Sequence, residues 1–342
     1  MRIAVDAMGG DNAPASVVEG IEKARDEFKD MEFILYGRVD QVKPFVKNST
    51  RISFVQADEE IDMNDEPVKA IRQKKQSSLV LAARAAKKGE ADALFSCGNS
   101  GAVLAAGLFI IGRIRGVDRP GFLTTLPVVS YDQGGFNLLD SGANADNKPE
   151  HLYQYAILGK YYAQSVRGIA DPRIGLLNNG IEPHKGSNVT RAAYQLISKA
   201  DDINFVGNVE SSELTNGVCD VVVADGFTGN AVLKAIEGTA LAVMHLIKDS
   251  VKDASLWGKL GAMMFKPSLM GIKDRISPAR YGGAVVLGVK APVIKAHGSS
   301  KADTVYYSMK QTKKIIDEKL LYKFQQTFER EEIQKSSTSE EK

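Results

Sequence analysis

Cysteine, histidine and tryptophan are scarce in this chain, and its charges nearly cancel. Only two of 342 residues are cysteine, Cys97 and Cys219. Two thiols in unrelated settings make neither a disulfide framework nor a zinc ligand set, so a reducing cytoplasm is expected. The four histidines, His151, His184, His245 and His297, are scattered, and no His-x-x-x-His pair occurs. No metal site is therefore expected. Lys and Arg total 44 against 42 Asp and Glu, a formal charge of +2 that leaves no footprint for nucleic acid. The longest apolar run, Ala102 to Ile111, is too short to span a bilayer, and no signal-peptide pattern is seen. No Gly-x-Gly-x-x-Gly, no P-loop and no Gly-x-Ser-x-Gly elbow occurs. Ordinary dinucleotide binding, nucleotide hydrolysis and serine-nucleophile chemistry thus lack their usual marks.

What is present is a repeated grammar. An apolar strand-like run stops at a glycine-containing turn, and a helical pattern follows. "RIAVDAM" leads into "GGDNAP", "ADALFS" into "CGNSGA", "GFNLLD" into "SGANADNKP", "RIGLLNN" into "GIEPHKGS" and "CDVVVA" into "DGFTGN". Strands alternating with helices predict an α/β fold with a doubly wound, mostly parallel sheet. In such sheets ligands bind beyond the carboxyl ends of the strands, so the five turns are expected along one rim. "GAVVLGV" and "APVIKAH" predict a late hairpin, and one long helix is expected from Lys301 to Phe328. Residues 1–328 read as a single two-lobed domain, with a polar tail over 329–342 expected to be disordered.

The turns hold the residue types that anion chemistry needs. Gly9 and Gly10 allow close backbone approach, but Asp11 stands beside them. Gly98, Asn99, Ser100 and Gly101 form a second turn, and Asp140 and Asn144 belong to a third. Glu182, His184 and Lys185 precede a helix. Asp225, Gly226, Thr228, Gly229 and Asn230 open another, with Thr228 or Asn230 as its expected cap and free N–H groups for an anion. Lys295, His297 and Ser299 precede the last helix. Taken singly, each turn reads either as a ligand cradle or as a capped strand-to-helix connection. Cys97 reads either as an acyl-carrying nucleophile or as a small core residue.

Residues 249–276 have a different character. Trp257, Leu260 and Met264 recur at helical spacing, with Leu256, Met263 and Phe265 beside them and lysines interleaved. This fits insertion into an anionic membrane interface, or an ordinary core or dimer helix. Pro267 is expected to divide the run into two short helices. Lys74 and Lys75 suggest a basic patch for an acidic partner.

As an ordered set, "MRIAVDAMGGDNAP", "GNSGA", "GRIRGVDRP", "LLDSGANADNKPEHL", "ADGFTGN", "YGGA" and "APVIKAHGSS" resemble one family, the bacterial phosphate acyltransferases. The likeness runs from Met1 to Ser300. It implies a fold like that of isocitrate and isopropylmalate dehydrogenases, usually as a homodimer. It implies transfer of a long-chain acyl group from acyl carrier protein to inorganic phosphate, without metal or nicotinamide. The acyl phosphate would pass to a glycerol-phosphate acyltransferase for phospholipid synthesis. Catalytic lysine and asparagine roles fall on Lys185 and Asn230, and the other turn residues named above become candidate substrate contacts. The family's helical tip implies peripheral association with the inner face of the cell membrane. Ser141, Ile181 and Cys97 depart from the family's usual residues. A rival reading on the same fold is a metal- and NAD-dependent dehydrogenase with Asp6, Asp11 and Asp225 as metal ligands. Another is a membrane-binding scaffold without catalysis.

Overall fold

The computed structural model describes residues 1–129, 134–275 and 278–329. One sheet of eleven strands runs through it: β1 (Arg2–Asp6), β2 (Glu32–Gly37), β3 (Ile52–Gln56), β4 (Ala93–Ser96), β5 (Gly121–Leu126), β6 (Phe136–Leu139), β7 (Ile174–Asn178), β8 (Phe205–Glu210), β9 (Val221–Val223), β10 (Ala284–Leu287) and β11 (Val293–Lys295). Their order is β3-β2-β1-β4-β11-β10-β5-β6-β9-β7-β8. The short strands are apolar because helices cover both faces. In β1, Ile3 and Val5 face a layer with the helices Ala15–Glu27, Pro149–Arg167 and Ala302–Asp317, while Ala4 faces the helices Ser78–Lys88 and Ser100–Ala106. On that second side, beyond β5, the start of helix Gly226–Asp253 packs through Val232, Leu233 and Ile236 on Leu138 and Val222.

The mostly parallel α/β expectation holds, but the rim does not. The pairs β11–β10, β10–β5 and β5–β6 are antiparallel. Three reversals turn β6, β9, β7 and β8 opposite to β1, β4 and β11. The turns after β1, β4 and β11 therefore leave one end of the sheet, and those after β6, β7 and β9 leave the other. The late hairpin forms as expected, but it sits mid-sheet and is itself one of the reversals.

Two other helical expectations are corrected. Helix Leu256–Arg275 continues through Pro267. The proline is exposed, so water can satisfy the carbonyl its missing N–H leaves free. The last helix ends at Asp317, where Lys319 has φ of 51°, and a second segment spans 320–329. Nearly all of the expected tail, 330–342, lies outside the described residues. The absence of a long apolar segment is corrected too: Gly226–Lys252 is long and apolar enough to cross a bilayer, and little of it is covered.

Candidate active site

At the first end of the sheet three turns interlock. Asp6, buried at the end of β1, accepts from Ser78 Oγ at 2.6 Å, Ser96 Oγ at 2.7 Å, and the N–H groups of Gly9 and Met8. Burial raises its pKa, and those donors pull against the rise. Gly9 must be glycine, since a Cβ there would lie 2.5 Å from the Asp6 carboxylate and 2.8 Å from Gly98 N. Asp11 N–H donates to Gly298 O at 2.8 Å, and Asn12 Nδ2 donates to the carbonyls of Ser299 and Ser300. Asn99 caps helix Ser100–Ala106 through Ala102 N–H and holds the carbonyls of Asp62, Met63 and Asp65. Asn99 thus organises the wall, and exposed Ser100 stands at its edge.

Lys295 ends β11 and is only 9% exposed. Among the described residues no hydrogen bond or ion pair engages its ammonium. Burial lowers its pKa, with Lys234 acting the same way and Asp11 and Glu237 opposing. His297 Nδ1 accepts from Ser299 N–H at 3.2 Å and lies 2.9 Å from Ser299 Oγ. Burial, then Lys295 and Lys234, hold the imidazole below its usual pKa.

At the other end, Asp140 is 0% exposed. It accepts from the N–H groups of Phe122, Gly142, Ala143 and Asn144 and from Asn144 Nδ2, at 2.8–3.1 Å. Asn144 Nδ2 also reaches Pro120 O and Tyr155 OH. These two candidate contacts therefore build the loop. Asp225, not Thr228 or Asn230, caps helix Gly226–Asp253, accepting from both Thr228 N–H and Thr228 Oγ. Gly226 N–H donates to Asn144 O. The helix start is thus partly satisfied from within, which weakens it as the anion cradle expected from its sequence. Gly229 lies so close that a Cβ would fall 1.9 Å from Asp140 O. Asn230 is left exposed against Gly142, with no hydrogen bond to its side chain among the described residues.

The β7 turn is pinned by its backbone: Asn208 Nδ2 donates to Glu182 O and Asn178 Nδ2 to Lys185 O. Lys185 is half-buried, and Glu182 and His184 are exposed. In sheet order this turn follows that of β9, so Lys185 and Asn230 leave the same end. Ser141 satisfies its hydroxyl with Phe122 O and Thr124 Oγ at the floor between the halves.

The two ends meet along helix Gly226–Asp253, which runs back over the sheet. Lys234, one turn beyond Asn230, and its 2.8 Å partner Glu237 lie in the electrostatic field of Lys295 and His297. From there a cleft of about 1080 Å³ opens between this helix and the return helix Leu256–Arg275, with His297 and Glu237 among its lining. Lys234 and Glu237 escaped the sequence reading because they look like a routine i,i+3 surface pair. Only the fold sets them beside Lys295.

Three candidates lose ground. Burial pushes the Cys97 thiol up to about 12, so it stays protonated and unreactive at neutral pH. Asp6 ends β1 and is engaged by Ser78 and Ser96, whereas Asp225 follows β9, six strand steps away, and is engaged by Thr228, so the triad of the dehydrogenase reading does not assemble. Lys74 is paired with Asp65 at 2.5 Å and Asp62 at 3.5 Å, which removes it from a free basic patch.

The model of the fatty acid synthesis protein family matches residues 1–323. The chain is 63% identical over 327 residues to a phosphate acyltransferase of Ligilactobacillus salivarius, covering 96% of this chain and 98% of that one. It is 55% identical over 337 residues to a phosphate acyltransferase of Latilactobacillus sakei, covering 98% and 100%. Among solved structures, a phosphotransacetylase from Streptococcus pyogenes shares the fold, with a TM-score of 0.60 at 16% identity over 92% of this chain and 94% of that one.

Proposed function

This chain belongs to the fatty acid synthesis protein family, and we propose that it acts as a phosphate acyltransferase, moving a long-chain acyl group from acyl carrier protein to inorganic phosphate. The observation that carries this reading is a desolvated ammonium, Lys295, without a hydrogen bond or ion pair among the described residues, two residues before His297, which lines a long and largely apolar cleft. The first suits an anion and the second a fatty chain.

Phosphate needs no activation as a nucleophile at neutral pH. One of its oxygens attacks the thioester carbonyl, a C–O bond forms, and the C–S bond breaks. The carrier-protein thiolate departs and takes up a proton. The protein's task is to hold the anion in line and to stabilise the oxyanion. Lys185 orients phosphate, and Lys295 adds positive potential. Asn230, its amide uncommitted, donates to the oxyanion. Asp6, Asp140, Asn144 and Asn99 fix the walls without touching substrate. With purified protein and acyl-loaded carrier protein, thiol release is expected to require phosphate. Equal release without it would overturn the assignment.

The helical arm supports the finer reading of a cytoplasmic enzyme docked on the inner membrane face. Trp257 is 81% and Met264 85% exposed, with Met263 and Phe265 also outward. Helix Gly226–Asp253 carries Lys234 and Glu237 and is locked into the site at its start, which suits an interfacial arm rather than a span. Trp257→Asp with Met264→Asp is expected to abolish flotation on anionic vesicles; undiminished flotation would remove the tip's role. The long uncovered helix face also fits a homodimer, which a single monomeric species in light scattering would exclude. The acyl phosphate is then released where a glycerol-phosphate acyltransferase can take it up.

A further inference from the structure

The arm carries more than an outward apolar face. Along helix Gly226–Asp253 most side chains are exposed, but Ile236, Ala240, Met244, Ile247 and Val251 are half-buried. Their spacing of four, four, three and four keeps them on one stripe. All five line the cleft, which begins at His297 and Glu237. Asn230 and Lys234 lie on the same helix, two turns and one turn before Glu237. The chain reverses after Asp253, so Lys259, Ala262, Met263 and Lys266 of the return helix flank the distal part. From Glu237 to Val251 the helix rises about 21 Å. The cleft is therefore a trough, with Glu237 and His297 at one end and lysines toward the other.

We infer that this trough binds the acyl chain of the substrate and measures its length, with Ala240 setting clearance near the carbonyl and Ala262 near the far end. The inference rests on the acyltransferase reading above. A saturated chain is the occupant that fits best. The stripe from Ile236 to Val251 gives the trough a continuous apolar wall beside its lysines, and the inner end is reached at His297, two residues beyond Lys295. The two alanines are the smallest side chains along an otherwise bulky wall, so they leave room where a chain would pass. A membrane or a second copy of the protein would cover the outward face, where Trp257 and Met264 lie, and would not require a trough leading inward to His297.

Two substitutions at different depths test this. Wild type and the variants Ala240→Trp and Ala262→Trp are supplied with carrier protein bearing saturated chains of increasing length, and phosphate-dependent thiol release is measured. Each methylene buried in an apolar site favours binding by about fourfold. Wild-type kcat/KM is expected to climb with chain length. The climb should stop early in Ala240→Trp and later in Ala262→Trp, while the shortest chains react at wild-type rates in both. Those short-chain rates also report that the variants fold. Unchanged length profiles in both variants would overturn the inference and leave the arm to lipid or to self-association. An equal loss at every chain length would also overturn it. Failure of the underlying reading looks different, because wild type itself would then release thiol without regard to phosphate.

Discussion

Asn230→Ala is expected to lower phosphate-dependent acyl transfer by about 100- to 1000-fold, the usual effect of removing one oxyanion donor. It should leave the fold intact. The side chain is exposed, makes no hydrogen bond among the described residues, and rests against Gly142 without supporting it. Truncation therefore opens no cavity and strands no buried partner. The loss should fall on kcat, because the donor acts chiefly on charge that develops in the transition state. Lys185→Ala should behave differently in kind. Its backbone is fixed through Asn178 and its N–H donates to Glu182 O, so the turn survives. What is lost is the cation proposed to hold phosphate, so KM for phosphate should rise along with the fall in rate. Wild-type kinetics in either variant, with unfolding midpoints unchanged, would remove that residue from the mechanism.

Much of this site was legible in the sequence, and the reason is local. A turn such as Asp225–Asn230 is specified by neighbours in sequence, with glycines where no Cβ fits, although its cap is Asp225 and not the expected Thr228 or Asn230. The helix start and the closeness of Gly229 to a neighbouring loop follow from that pattern. The direction of the strands did not follow. Five strand–turn–helix units look alike whichever way they run, and the reversal depends on the pairing of β10 and β5, which are far apart in sequence. Hence the sequence pattern predicts one rim, whereas the turns leave opposite ends of the sheet. The same non-local pairing hid Lys234 and Glu237. It also hid the division of labour among the polar residues. Asp140 and Asn230 are both polar turn residues in sequence. Only burial shows that one holds the loop and the other is free to meet substrate. Pro267 misled for the opposite reason: a strong local rule was overridden because an exposed helix can leave one carbonyl to water.

Asp140→Asn should have the largest effect on the fold. The carboxylate is fully buried, and its two oxygens divide five donors. Oδ1 takes the N–H groups of Phe122, Gly142 and Ala143, and Oδ2 takes both N–H and Nδ2 of Asn144. An amide keeps one oxygen and presents its NH₂ to the donors on the other side. Even in the better orientation, the two donors of Asn144 face a donor. Asn144 Nδ2 keeps Pro120 O and Tyr155 OH, so the unmet donor is Asn144 N–H, at a cost of about 1–3 kcal/mol. The damage should also reach the chemistry. Asn144 O receives Gly226 N–H, and Gly229 packs on Asp140 O, so this loop sets where helix Gly226–Asp253 begins and where Asn230 points. A denaturant midpoint well below wild type is expected, together with a loss of turnover measured under conditions where the variant is still folded. If the midpoint falls but turnover of the folded fraction stays at the wild-type value, Asp140 stabilises the sheet without positioning Asn230. Wild-type values for both would mean that the loop does not depend on this carboxylate.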